Sequence, residues 1–238
     1  MSVCVIPARG GSKRIPGKNI RLFAGRPMIS WSIEKAKKAG CFDRVIVSKD
    51  DHKVAEIAKS GGAEVPFLRS PNLADDFTPT KPVVADAIDQ LDVSADTPVC
   101  CLYATAPFVQ SDELSGAFEA LLTHAPRFVV SVTTFPFPIQ RALYRSSSGY
   151  VEMIDPEHIA TRSQDLPETW HDAGQFYWAL ASEWKDASVG IFSADVYGFP
   201  IPRFRVQDID TEEDWKRAEI LAETIESRRL PYWNELLG

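Results

Sequence analysis

Apolar and polar positions set up an alternating rhythm over the first seventy residues. Val3-Cys4-Val5-Ile6 is an unbroken apolar run that stops at Pro7, the mark of a strand buried on both faces. Pro27 to Ala39 carries apolar residues near helical spacing, with proline at its start and Gly40 at its stop. Val45-Ile46-Val47 predicts a short buried strand. Asp50-Asp51 then predicts a helix start, through about Lys59, and Gly61-Gly62 its end. Val65-Pro66-Phe67-Leu68 reads as a third strand or extended segment. The order β-α-β-α-β predicts an α/β fold with a doubly wound, mostly parallel sheet.

Farther along, Asp75 to Lys81 is a polar loop, read either as a connector or as a second lip of a nucleotide pocket. Pro82 to Leu91 predicts a helix and Val99 to Tyr103 a strand. Ser111 carries an N-cap signature with acids in the first turn, and Phe128 to Thr134 predicts another strand. Ligands of open α/β sheets bind beyond the carboxyl ends of strands, so the loops after residues 7, 103 and 134 are candidate walls. The rhythm breaks between about 136 and 178. There Arg141–Tyr144 and Tyr150–Ile154 flank a Ser-Ser-Ser-Gly turn, predicting a hairpin, and 161–178 is rich in polar and aromatic residues. This stretch reads as an insertion extending from the sheet, either a plain β-excursion or a dimerisation arm and substrate wall, the latter favoured by its aromatics. Phe204 to Asp210 predicts a last short strand. Thr211-Glu212-Glu213-Asp214 has the capping-box pattern of a final helix reaching about Ser227. No interdomain linker is visible, so 1–238 is read as a single domain.

Composition narrows the partners. With 45% hydrophobic and 25% charged residues, the chain is an ordinary globular sequence, and no apolar run approaches a membrane span. Its net charge of −7 disfavours nucleic acid or an anionic membrane as a partner. The N-terminus lacks the pattern of a secretory signal. Cys4, Cys41, Cys100 and Cys101 lack C-x-x-C spacing and read as reduced residues of a cytoplasmic protein. The four histidines show no zinc-ligand spacing.

Against this acidic background, the loop after the first strand is locally basic. Between Ala8 and Asn19 it holds three glycines and four basic residues, Arg9, Lys13, Arg14 and Lys18. Glycines admit an anion close to backbone N–H groups, and Arg and Lys neutralise its charge. The loop is neither a G-x-G-x-x-G nor a Walker A, because Ser12 and Asn19 stand where the latter needs Gly and Ser or Thr. Near the other end, Asp208 and Asp210 lie two apart. On a strand they would share one side, either repelling each other or sharing a hard cation such as Mg²⁺. The plainer alternative is a solvated loop acid and a helix cap. His171-Asp172 reads either as an acid–base pair or, more commonly, as a hydrogen-bonded structural group. Together these features point to phosphate-centred transfer without a protein nucleophile.

The segment Ile6-Pro7-Ala8-Arg9-Gly10-Gly11-Ser12-Lys13-Arg14-Ile15-Pro16-Gly17-Lys18-Asn19-Ile20 closely resembles the opening motif of the sugar-acid cytidylyltransferases, the CMP-sialic acid synthetase family. Phe67-Leu68-Arg69-Ser70-Pro71, Leu73-Ala74-Asp75-Asp76 and Asp208-Ile209-Asp210-Thr211 follow in the family's order. The resemblance implies a Rossmann-like nucleotidyltransferase that joins CTP to a nine-carbon nonulosonic acid and releases pyrophosphate. It implies that Ala8, Arg9, Gly10, Gly11, Ser12, Lys18, Asn19 and Arg69 bind the nucleotide, with Thr78 and Thr80 near the cytosine. Asp208 and Asp210 would hold Mg²⁺. Arg9, Lys18 and the two acids would form the catalytic set, and the 136–178 insertion would exchange across a homodimer to complete the neighbouring sugar site. Tyr103, in Leu102-Tyr103-Ala104-Thr105-Ala106-Pro107, departs from the glutamine of the sialic acid enzymes. With Phe135 to Ala142, Thr161 to Asp165 and His171 to Trp178, it is similar to the branch acting on pseudaminic acid. Tyr103, Arg162, Gln175 and Tyr177 are the implied sugar contacts. The alternatives are the same reaction on sialic, legionaminic or 3-deoxy-octulosonic acid, an inactive nucleotide-binding regulator, or a glycosyltransferase.

Overall fold

The computed structural model describes residues 1–11, 14–73 and 78–227. The chain opens with β1 (Val3–Ala8), a small ribbon of β2 (Leu22–Phe23) and β3 (Arg26–Pro27), and α1 (Met28–Lys38). Next come β4 (Arg44–Lys49), α2 (His52–Ser60), α3 (Thr80–Leu91), β5 (Pro98–Leu102), α4 (Ser111–His124) and β6 (Phe128–Thr134). The hairpin β7 (Leu143–Arg145) and β8 (Val151–Met153) precedes β9 (Trp170–Leu180), α5 (Ala181–Lys185), β10 (Val196–Pro200) and α6 (Glu212–Ser227).

One six-stranded sheet, in the order β10-β6-β9-β5-β1-β4, forms the centre. β1 runs parallel to β4 and β5, and β6 parallel to β10, while β9 lies antiparallel between β5 and β6. Side chains of β1 divide between the faces. Cys4 and Ile6 pack with α1, α2 and α4, whereas Val3 and Val5 pack with α3 and α5. A third cluster, built on Ile15, Phe23, Met28, Ile209 and Trp215, fastens α6 to the β2–β3 ribbon. The expected doubly wound α/β sheet is therefore present, with one antiparallel strand in its interior.

Local chemistry explains the element ends. Asp51 caps α2 by accepting from the backbone N–H groups of Lys53 (2.7 Å) and Val54 (3.2 Å). Thr211 and Asp214 close the expected capping box of α6 reciprocally, at 2.9 and 3.2 Å. Asp210 is thus not the helix cap. In α4 the cap lies one residue before the expected Ser111: Glu113 reaches back to the N–H of Gln110 at 2.8 Å.

Three expectations are narrowed or corrected. Of the two readings of Val65–Leu68, the extended segment holds: Pro66 removes a donor, and pairing beside β4 ends at the bridge Ile46–Glu64 just before it. Phe204–Asp210 is not a strand; a 3₁₀ turn at Arg203–Arg205 leads into irregular chain. The edge strand is instead β10, carrying a glycine and a terminal proline that mask its pattern. Finally, 170–178 belongs to the sheet as most of β9, so the excursion is confined to about 136–169.

Candidate active site

A cleft of about 680 Å³ opens at the carboxyl ends of β1 and β5. One wall is the basic loop. Gly10 donates its N–H to Asp50 Oδ1 at 2.8 Å, and Asn19 Nδ2 donates to the Arg9 carbonyl at 2.9 Å, pinning both ends of the loop. Gly17 turns with φ of +63°, and Lys18 then reaches across the cleft. Its Nζ donates to the Ile209 carbonyl (2.6 Å) and Asp210 Oδ1 (3.2 Å), while Arg14 meets Asp210 Oδ2 at 3.0 Å. Residues 192 positions apart in sequence are thereby joined.

Opposite stand the two acids. No sheet neighbour aligns them, yet Ile209 is fully buried between them and both line the cleft. The expected two-residue alternation therefore operates in irregular chain, anchored by Ile209 in the Trp215 cluster. Burial, and then the neighbouring Asp210 charge, push the Asp208 carboxyl above its ordinary range, with Lys18 pulling the other way. The repulsion expected of two close acids thus falls on Asp208.

The remaining walls come from Arg69, Thr78, Thr80 and Tyr103. Arg69 is 5% exposed, with Nε donating to Ser48 Oγ at 3.1 Å and its fork to the Ser48 carbonyl. Burial lowers its pKa, yet a guanidinium remains a cation. Thr80 and Tyr103 share a hydroxyl–hydroxyl bond of 2.8 Å, and burial pushes the Tyr103 phenol up to about 12. Tyr177 packs edge-on behind Tyr103 and donates to Asp172 Oδ2 at 2.6 Å; burial pushes its phenol up as well.

Nine expected site residues converge on this cleft: Arg9, Lys18, Asn19, Arg69, Thr78, Thr80, Tyr103, Asp208 and Asp210. Ala8 is buried at the end of β1 and Gly11 is exposed within the loop, while Ser12 lies outside the described residues. Gln175 is buried in β9, and Arg162 pairs with Asp165 at 2.7 Å in the excursion. Arg14 also lines the cleft; the sequence reading counted it in the basic loop without assigning it to the site. The loop after β6 leads into the excursion and does not line the cleft. His171 and Asp172 are no acid–base pair: His171 Nδ1 bonds the Asp172 backbone carbonyl, while the Asp172 carboxylate serves Gly174 N–H and Tyr177. All four cysteines are free thiols, and burial raises the pKa of Cys41, Cys100 and Cys101. Among the described residues no helix is long and apolar enough to cross a membrane.

A mostly parallel α/β sheet whose strand ends carry a cationic loop facing two carboxylates defines a nucleotide-handling enzyme. The chain belongs to the cytidylyltransferase family, whose model matches residues 3–183. It is 45% identical over 222 residues to pseudaminic acid cytidylyltransferase of Campylobacter jejuni, covering 92% of this chain and 95% of that one. To CMP-N,N'-diacetyllegionaminic acid synthase of Legionella pneumophila it is 34% identical, covering 93% and 96%. Among solved structures, CMP:2-keto-3-deoxy-manno-octonic acid synthetase complexed with CTP superposes with a TM-score of 0.70 at 17% identity, covering 94% of this chain and 99% of that one, a likeness of fold.

Proposed function

We propose that this cytidylyltransferase transfers CMP from CTP to the anomeric hydroxyl of pseudaminic acid in the cytoplasm, acting as a homodimer. The observation that carries the reaction is the meeting of Lys18 and Arg14 with Asp210 across one cleft. The choice of sugar acid is supported by the 45% identical relative and by Tyr103 in the cleft wall.

In the reaction the sugar hydroxyl releases its proton to solvent and its oxygen bonds to the α-phosphorus. The bond from that phosphorus to the bridging oxygen breaks, and pyrophosphate leaves. Arg9, Arg14 and Lys18 hold the triphosphate and stabilise charge on the departing group. Before substrate enters, Asp210 satisfies Arg14 and Lys18; triphosphate oxygens take over those two cations and release its carboxylate. Two carboxylates, one of them crowded by the other's charge, are a hard-oxygen donor set that fits Mg²⁺. Asp208 and Asp210 would hold that ion, which supplies charge neutralisation at the phosphates. Arg69 and Asn19 complete the nucleotide site with Thr78 and Thr80. Tyr103 walls the sugar side, with Tyr177 packed behind it, and Arg162 on the excursion reaches the neighbouring subunit's cleft.

The test follows pyrophosphate release with CTP, Mg²⁺ and a panel of sugar acids. Release with pseudaminic acid well above legionaminic and sialic acids is the expected result. Faster release with either of the others removes the sugar assignment, and none with any acceptor removes the reaction.

A further inference from the structure

Three side chains outside the cleft converge on the chain just ahead of Asp208. Gln175, on β9, is 4% exposed, and its Nε2 donates to the Arg205 carbonyl at 2.9 Å. The guanidinium of Arg205 pairs with Glu113 Oε1, while Glu113 Oε2 accepts from the Gln110 N–H at 2.8 Å in the first turn of α4. The backbone carbonyl of Gln175 accepts from the N–H of Tyr103, in the cleft wall, at 2.9 Å. One residue thus grips both the sugar side of the cleft and the segment that carries the acids.

We propose that Gln175, Arg205 and Glu113 form a polar clamp that positions Asp208 and Asp210 for their cation. This rests on the reading of those two acids as cation ligands. Asp208 lies only three residues beyond Arg205, so the anchored carbonyl limits how far the carboxylate can drift. The segment has no sheet partner; Ile209 and Lys18 fix its far side, and this anchor fixes the side ahead of Asp208. An ion pair largely withdrawn from water, as Arg205–Glu113 is, contributes little stability, since apolar side chains of equal volume serve as well or better. Gln175 Oε1 and Arg205 Nε are buried without a hydrogen-bond partner, so the cluster is not arranged for maximum polar satisfaction. Fixing a geometry accounts for both costs. The clamp also gives Gln175 a role different from the sugar contact expected of it: its amide is turned to Arg205 and it is absent from the cleft lining.

Gln175→Met retains the side chain's length and removes the anchor, and two measurements decide the matter. Hydrogen exchange of the ligand-free protein reads the amides of 206–210. Mn²⁺ binding with CTP present, read by electron paramagnetic resonance, reports the acids, with Asp210→Asn as reference. We expect exchange at 206–210 to accelerate about tenfold while β1 and β5 are unchanged, and Mn²⁺ affinity to fall about tenfold, as for loss of a residue that orients a metal ligand. KM for the sugar acid at saturating Mn²⁺ is expected to stay within twofold of wild type. Unchanged exchange overturns the clamp. Faster exchange with unaltered Mn²⁺ affinity overturns its positioning role, and a raised sugar KM with unaltered Mn²⁺ affinity restores Gln175 as a sugar contact. Wild type and Asp210→Asn binding Mn²⁺ equally removes the acids as ligands and with them the positioning role; exchange then still decides whether the clamp holds the segment. Gln175→Leu, which likewise removes the amide donor, gives the same readings should Gln175→Met fail to fold.

Discussion

Gly10 sits where a side chain has no room. A Cβ there would lie 2.7 Å from Asp51 Cβ, in the residue that caps α2. Gly10→Ala is therefore expected to cost about 1–3 kcal/mol of stability through forced displacement of that cap, read by denaturant unfolding; an unchanged midpoint would show the loop to be slack. Charge decides two other residues. Removing Arg9 takes a cation from the proposed triphosphate site, so Arg9→Ala should weaken CTP binding by about 2 kcal/mol, roughly thirtyfold, in calorimetry. Unchanged affinity would remove Arg9 from the site. Asp210→Asn keeps the shape and removes one charge, and should lower kcat about a hundredfold or more while CTP affinity changes far less. Wild-type turnover across a Mg²⁺ titration would refute a metal role. The family motif made Lys18 legible, and spacing with that motif the acid pair. Arg14 was not, since a loop's basic content says nothing about which side chain turns to the opposite wall.

The elements most legible in the chain were those whose patterns are local. β1, α1, β4 and α2 each bury one run or one face; Gly40, Asp51 and Gly61-Gly62 punctuate them, while β1 runs past Pro7 to Ala8. β9 was hidden because its first half carries His171, Asp172 and Gln175, polar groups with partners that only the fold supplies, and its register shifts opposite Val130–Val132. The acid segment misled in the other direction: its alternation is real, but Ile209 answers to a helix cluster and not to a sheet. On α1, Glu34 gives an element-scale prediction. Its hydrogen bonds to Lys38, four residues on, and to Arg26 hold its carboxyl at about 2. An acid whose folded pKa is depressed stabilises the fold above its unfolded value of about 4.3 and loses that contribution as pH falls through the folded one. Wild type should therefore exceed Glu34→Gln by no more than about 1 kcal/mol at neutral pH, because the pair is solvent-screened. The gap should close between about pH 4 and pH 2. A gap that persisted at pH 2 would assign the stabilisation to packing.

At the scale of the whole molecule, the distribution of exposed apolar side chains is uneven. Most of the core is covered by helices, yet Phe137, Tyr150, Ile154 and Ile159 on the excursion are 68–81% exposed, alongside Leu143, Tyr144 and Trp170. Isolated exposed hydrophobics are ordinary, but their concentration on one segment is what the proposed homodimer would use. A second copy of the chain satisfies this economically, because a two-fold interface lets each excursion cover its counterpart and reach the other cleft. On this reading the wild type sediments as a dimer, and Tyr150→Asp with Ile159→Asp sediments as a monomer. The two substitutions lie away from the nucleotide walls, so CTP affinity should stay within about twofold, whereas KM for the sugar acid should rise about tenfold or more as the contribution of the partner excursion is lost. A monomer with undiminished kcat/KM for the sugar acid would show that each cleft is complete in its own protomer, and would take Arg162 out of the sugar site.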